Sequence, residues 1–404
     1  MRIKSVRAIP LYVSFARIWG GADKVPASVL RPAAHFRRIP RSGQFSTIIV
    51  AEEDGGVTGT GEAFGLPYSP VTTALINNLI APILKGRELD HPAECLADLY
   101  NYFMSMGHTR GFAMEALGGI DIALWDLKAR AAGEPLAVHL GGKIEPVPLY
   151  VSPIPFLERE EESAQRARDF VTDGYRALKL KIGRTVAQDI AHTAAVRAAV
   201  GPDIQVMLDV NCSYELGEAI ELARGLEGLG VAWLEEPIKP ERPHDLARIR
   251  EVATMPIATG ENDYVLASFE ELVRCDAVDI LQPNITRVGV SGMMAIGEFC
   301  AKHGLALAPH GVGSGIGVAA SVHACCAAKG FQIYEANRLP NPLRDDIPVH
   351  PIDIRDGFAF LSDRPGHGCE IDWERAASYE ISDGDISDGA IAGGQESLNA
   401  SVAG

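Results

Sequence analysis

The chain has 404 residues, 22% charged and 47% hydrophobic, and its 53 acidic residues outnumber 37 basic ones for a net charge of −16. This composition describes an ordinary globular protein too long for one typical domain, so one large domain with a smaller companion is expected. The anionic balance argues against nucleic acid or an anionic membrane as the main partner, because phosphate-rich surfaces repel a net anion. No apolar run reaches the length of a membrane span. Charges interrupt MRIKSVRAIPLYV where a signal peptide would carry its apolar core, so a cytoplasmic location is expected. The cysteines Cys95, Cys212, Cys275, Cys300, Cys325, Cys326 and Cys369 are scattered and lack CxxC spacing. They read as reduced, mostly core thiols, with Cys212 the one candidate for reactivity because polar residues surround it in sequence.

Taken in chain order, IKSVRAIPLYVSF and STIIVAEEDGGVTGTGEAF are β-branched runs, the second folded back on itself at DGG, which predicts an antiparallel sheet. From about Val71 the texture becomes helical. Ala116, Ile120, Ala123, Leu124 and Leu127 form one apolar stripe on a helix that Gly133, Glu134 and Pro135 stop. Residues 1–135 are therefore expected to form a small α+β domain.

From Val147 a second rhythm begins: the runs VPLYVS, ALKLKI, IQVMLDVN, VAWLEEP, PIATGEN, VDILQPN, LALAPHG and FQIYEA, separated by helix-like stretches. The polar residues near their C-terminal ends are Ser152, Lys181, Asp209, Glu235, Glu261, Asn284, His310 and Glu335, spaced 23 to 29 residues apart. Each interval suits one strand, one helix and two loops, so an α/β fold with a closed (β/α)8 barrel over 136–345 is predicted. In such barrels the reactive groups sit at the C-terminal strand ends around one mouth.

Asp209, Glu235 and Glu261 end three consecutive strands. Three carboxylates in one pocket call for a hard divalent cation, Mg²⁺ first and Mn²⁺ second, with Asn211 and Glu236 orienting the ligands. Lys179 and Lys181 share one face of their strand. In a restricted space their mutual repulsion and desolvation are expected to lower one pKa, making Lys181 the candidate base. His310 would stand across the mouth. Glu335 either donates a hydrogen bond to substrate as a neutral acid or anchors a neighbour.

KLK at 179–181, LDVN at 208–211, WLEEP at 233–237, TGEN at 259–262 and APHG at 308–311, in this order, resemble the enolase superfamily and its mandelate racemase/muconate lactonizing enzyme subgroup. GTGEAFG at 59–65 and the segment 118–142 resemble that family's N-terminal capping domain. PGHG at 365–368 resembles the return of the chain to the cap, which bounds a segment 346–380. The resemblance implies a carboxylate substrate bound to Mg²⁺, removal of its α-proton, and an enediolate held by the metal with Lys179. It also implies Lys181 and His310 on opposite faces of the substrate, and a homo-oligomer.

One position departs from that pattern. Members of the subgroup usually end the sixth strand in an Asp that pairs with the histidine, where this chain has Asn284. An amide orients imidazole but does not stabilise imidazolium by charge, so Lys181 is expected to abstract the proton, with His310 an acid or a polar contact. The resemblance further implies a lid near 17–42 and a turn near 60–70 closing over the mouth. The lid carries Trp19, His35, Arg31, Arg37, Arg38 and Arg41. Ser152, Asn211, Trp19 and His35 are the candidate substrate contacts. A polar lid suits a sugar acid, so Mg²⁺-dependent dehydration of a sugar acid is the expected reaction. The alternatives are a racemase or epimerase, a sugar-lactone cycloisomerase, and a non-catalytic metal-binding descendant. The Gly-, Ser- and Asp-rich segment 381–404 reads as a disordered tail.

Overall fold

The β-branched runs at the N-terminus pair as an antiparallel sheet, β1 (Ile3–Ser14), β2 (Gly43–Glu53) and β3 (Thr58–Ala63), in the computed structural model, which describes residues 1–155 and 157–381. At the DGG turn the Glu53 carboxylate accepts the Gly55 and Val57 N–H groups. Helix Phe112–Ala132 lies on this sheet and ends at Gly133, whose φ of 72° gives the left-handed C-terminal cap. Close approach requires glycine in β3: a Cβ on Gly61 would sit 2.2 Å from the Gly119 carbonyl oxygen.

The single apolar stripe expected on this helix understates its burial. Every residue from Ala113 to Leu127 is buried, because the face opposite the sheet packs on barrel helix Ile285–His303. Acids on that face are partnered rather than solvated. Asp121 accepts from the Ser291 N–H at 2.8 Å and hydroxyl at 2.6 Å, and burial raises its pKa to about 6. Asp126 accepts from the N–H groups of Thr60 and His367 and from Arg130.

Eight parallel strands follow: β4 (Val147–Ile154), β5 (Ala177–Lys181), β6 (Gln205–Asp209), β7 (Val231–Glu235), β8 (Ile257–Thr259), β9 (Ile280–Leu281), β10 (Ala306–Leu307) and β11 (Tyr334–Asn337). Each pairs with the next through β10, and β11 pairs with β4. The ring closes where Leu307 exchanges hydrogen bonds with Gly330 and Gln332. Long helices cross between successive strands, whereas β11 is followed by only the short helix Pro342–Asp345.

The period of two sorts the strand residues into two cores. Leu178, Leu180, Val206, Leu208 and Leu234 face the outer helices, while Tyr150, Ala177, Met207, Trp233, Ala258, Ile280 and Ala308 fill the barrel interior. Lys179, Asp209 and Glu235 continue the interior rows by alternation.

After the barrel, β12 (Asp353–Arg355) and β13 (Phe358–Phe360) form a hairpin that extends β4 antiparallel at Val147 and Pro148. The chain then reaches the N-terminal sheet, where Tyr379 accepts from the Tyr12 N–H and the Ile381 N–H donates to Pro10. Ile381, the first residue of the expected tail, is thus tied to β1; residues 382–404 lie outside the described residues. Among the described residues no helix is long and apolar enough to cross a membrane.

A buried histidine makes acid stability testable. His323, in helix Gly315–Cys325, is fully buried, and its Nδ1 accepts from the Ala137 N–H at 3.1 Å. Burial, and secondarily His367, lowers its pKa to about 3. The folded value lies below the unfolded one, so its contribution is present above pH ~6.5 and is lost as pH falls toward 3. Urea unfolding should show His323→Gln, which keeps an acceptor, losing less stability than the wild type between pH 6.5 and 4. The expected difference is on the order of 3 kcal/mol. Identical pH slopes would remove His323 from the account.

Candidate active site

Strand alternation delivers the polar residues to one end of the barrel interior. Oxygens of Asp209, Glu235 and Glu261 lie within 4.8 Å of one another. Lys179 Nζ is 2.6 Å from Glu235, 2.9 Å from Glu335 and 3.6 Å from Asp209. Lys181 Nζ donates to Asp209 and, at 3.0 Å, to Asn211 Oδ1. His310 Nε2 lies across the group, 3.3 Å from Glu261 and 3.6 Å from Glu335.

These residues fit a divalent cation on their own chemistry. The donor set is all oxygen, as hard cations require. The carboxylates of Asp209, Glu235, Glu261 and Glu335 outnumber the two ammonium groups among them, a surplus of negative charge that a dication would offset. Burial together with this surplus pushes Glu235 up to about 8. Glu261 Oε2 is buried and has no hydrogen-bond partner, so the cluster holds an acceptor with no donor.

One reading from the sequence needs correction. Repulsion was expected to lower a lysine pKa, but both lysines are raised. Burial is the largest single influence and opposes their charge, yet the surrounding anions together outweigh it, Glu235 and Glu335 foremost at Lys179 and Asp209, with Glu261 and Glu335, at Lys181. Of the two readings left open for Glu335, its surroundings favour the anchor: although burial favours its acid form, the Lys179 ammonium and His310 hold it well below the usual carboxylate range. It also accepts from the Gly311 N–H at 3.1 Å. A Cβ on Gly311 would lie 1.8 Å from the Glu335 carbonyl oxygen, which accounts for glycine after His310. Ser152 is fully buried in the barrel wall, where its side chain lies beside Glu335.

Asn211 ties the base candidate to a carboxylate, bonding Lys181 and donating to Asp209 from its N–H at 2.8 Å and from Nδ2 at 3.2 Å. Asn284 Nδ2 is 2.9 Å from His310 Nδ1. Burial holds His310 below the usual histidine value, against the pull of Glu261 and Glu335. From the lid, His35 in the short turn Ala34–Phe36 reaches the mouth, where it meets the Asn211 backbone and the fields of Glu261, Lys181 and Asp209. Trp19 packs edge-on against Phe15 at 5.6 Å, a contact within the cap. Arg37 and Arg38 are exposed, whereas Arg41 lies over the Phe15 ring. Burial beside Glu236 and Glu261 pushes the Cys212 thiol well up, leaving it an inert thiol.

Sequence reasoning missed four supporting residues. Gln282 Nε2 and Trp233 Nε1 donate to Glu235 at 2.7 and 3.0 Å, and Tyr150 covers Lys179 at 5.2 Å. Arg287 stacks between Phe64 of the cap and Tyr264 and donates to the Glu261 carbonyl and to Asn262, which in turn donates to Glu236. Period-two alternation would have found Trp233 two residues before Glu235. The lone cation in ITRVGV was the signal for Arg287.

Known proteins share this architecture. Residues 29–141 match the mandelate racemase/muconate lactonizing enzyme N-terminal domain, and residues 162–376 match the enolase C-terminal domain-like family. D-galactarolactone cycloisomerase of Agrobacterium fabrum is 32% identical over 83% of this chain and 91% of its own length. Arabinonate dehydratase of Saccharolobus solfataricus is 33% identical over 79% and 86%. The crystal structure of 3,6-anhydro-D-galactonate cycloisomerase from Zobellia galactanivorans superposes with a TM-score of 0.81 at 28% identity, covering 95% of this chain and 100% of that one. The chain is therefore an enzyme of the enolase superfamily and belongs to its mandelate racemase/muconate lactonizing enzyme subgroup.

Proposed function

We propose that the protein is a Mg²⁺-dependent dehydratase of sugar acids, with Mn²⁺ the second choice of cation. The observation that carries this reading is the convergence of Asp209, Glu235 and Glu261 with Lys181 beside them and His310 across. A dication held there would stabilise the negative charge that develops on the substrate carboxylate as its α-proton leaves. Lys179, fully buried among three carboxylates, stays charged and keeps them in place. Lys181 retains some exposure to the mouth and has a single carboxylate partner, Asp209. With Asp209 and Glu261 drawn to a dication, the carboxylates that chiefly raise Lys181 would be offset, and burial with the neighbouring Lys179 charge would favour its neutral amine, the form that takes the α-proton. Glu335 anchors Lys179, and Asn211 holds Lys181 toward the mouth. His35 and the cap supply polar contacts to the hydroxylated end of the substrate.

Cycloisomerisation of a sugar lactone is the second reading, favoured by the 32% identity to a galactarolactone cycloisomerase. It uses the same base and a ring oxygen as leaving group. Incubation with a panel of sugar acids and lactones in D₂O with Mg²⁺ tests both. Loss of one water from an acid supports the first, and an isomer without water loss from a lactone supports the second. A panel in which nothing reacts or exchanges its α-proton overturns the catalytic assignment of these residues.

A further inference from the structure

Asn284 does more than replace a charge, because its amide is held in one orientation. Its Oδ1 accepts from the Thr286 backbone N–H at 2.9 Å and from the Thr286 hydroxyl at 2.7 Å. A backbone N–H is always a donor, so the atom facing it must be the carbonyl oxygen. The amide nitrogen therefore faces His310 Nδ1 at 2.9 Å as a donor. Nδ1 must be the acceptor, and in a neutral ring the hydrogen then resides on Nε2. Nε2 is the nitrogen that points into the site, 3.3 Å from Glu261 Oε2, the buried oxygen that has no hydrogen-bond partner. An aspartate at 284 would accept from Nδ1–H and leave Nε2 bare. The exchange of one oxygen for NH₂ thus reverses the polarity of the ring.

We propose that Asn284, locked by Thr286, is a positioning residue that fixes His310 as an Nε2–H donor, so that Lys181 is the site's one proton acceptor and the enzyme eliminates on a single face without racemising. This rests on the function proposed above and narrows it. Lys181 Nζ takes the α-proton, and the C–H electron pair moves into the carboxylate as an enediolate. That pair then expels the β-oxygen, which receives the proton back from Lys181 and departs as water, and the enol left behind becomes the 2-keto acid by solvent proton exchange. Where the leaving oxygen is the ester oxygen of a lactone ring, the Cβ–O bond breaks, the freed group is a carboxylate, and the proton held by Lys181 passes to solvent or to that carboxylate. His310 donates a hydrogen bond to a substrate oxygen and keeps its own hydrogen.

The test is long-range ¹H–¹⁵N correlation NMR on metal-free protein with ¹⁵N-labelled histidine, the His310 signals being assigned by their loss in His310→Gln. The expected pattern shows Nε2 protonated and Nδ1 bare, and Asn284→Asp is expected to invert it. A wild-type spectrum with Nδ1 protonated overturns the proposal, whether or not Asn284→Asp folds. A matching assay follows substrate recovered from D₂O. No α-epimer is expected from the wild type, and a deuterated epimer would overturn single-face chemistry. If no acid reacts, the proposed function has failed while the spectrum still decides the tautomer.

Discussion

Replacement of Lys181 by methionine is expected to lower kcat by about 10³-fold, within the range that a positioned general base contributes. The length and apolar stem are kept, so packing against the barrel wall should survive, and Lys179, the other ammonium, is fully buried and bound to Glu235 and Glu335. Asp209 loses a competing cation when Lys181 goes, so titration calorimetry should show divalent affinity preserved or tightened. Steady-state kinetics with the acid identified in the panel gives the other half of the measurement. A kcat within tenfold of wild type would require another base.

Glu261→Gln and Glu235→Gln are both expected to abolish divalent-cation uptake and to cut turnover by roughly 10³-fold or more, since a metal's charge stabilisation is worth several kcal/mol. Their effects on the metal-free fold should differ. Glu261 has a buried oxygen with no hydrogen-bond partner, so its amide costs little and relieves repulsion. Glu235 accepts from Lys179, Trp233 and Gln282, and its loss leaves a buried ammonium short of one partner. Breaking a buried pair costs about 3–5 kcal/mol when the remaining charge is uncompensated, and Glu335 offsets part of that here. Metal-free thermal unfolding should therefore place Glu261→Gln near the wild type and Glu235→Gln well below it. Addition of Mg²⁺ should raise the melting temperature of the wild type alone, by an amount set by its affinity. A Mg²⁺-induced rise surviving in either variant would remove that residue from the ligand set.

The stability contrast between two carboxylates of the same type shows where reading residues along a chain stops. Alternation within KLK, MLD and WLE determined which side chains enter the barrel, because a strand has a period of two and apolar neighbours claim the outer face. The 23–29-residue spacing likewise determined that residues more than a hundred positions apart meet at one mouth. Glycines at 61 and 311 were visible as letters, but the backbones that approach them were not.

What the tertiary structure alone decided concerns charge, burial and hydrogen-bond direction. Two lysines on one strand look mutually repulsive, and only the carboxylates brought from β6, β7 and β11 reverse the sign of their pKa shifts. Glu335 is an anion because Lys179 lies 2.9 Å away, and Asp121 and Asp126 are buried because a barrel helix and the returning C-terminal segment cover the helix that bears them. The sequence by itself specified an α/β barrel with a capping domain and the residue types at its mouth, since periodicity and spacing are local properties of a chain. The protonation state of each group, and the tautomer that Thr286 imposes through Asn284, depend on energies between residues that fold together, and those exist only once the barrel has closed.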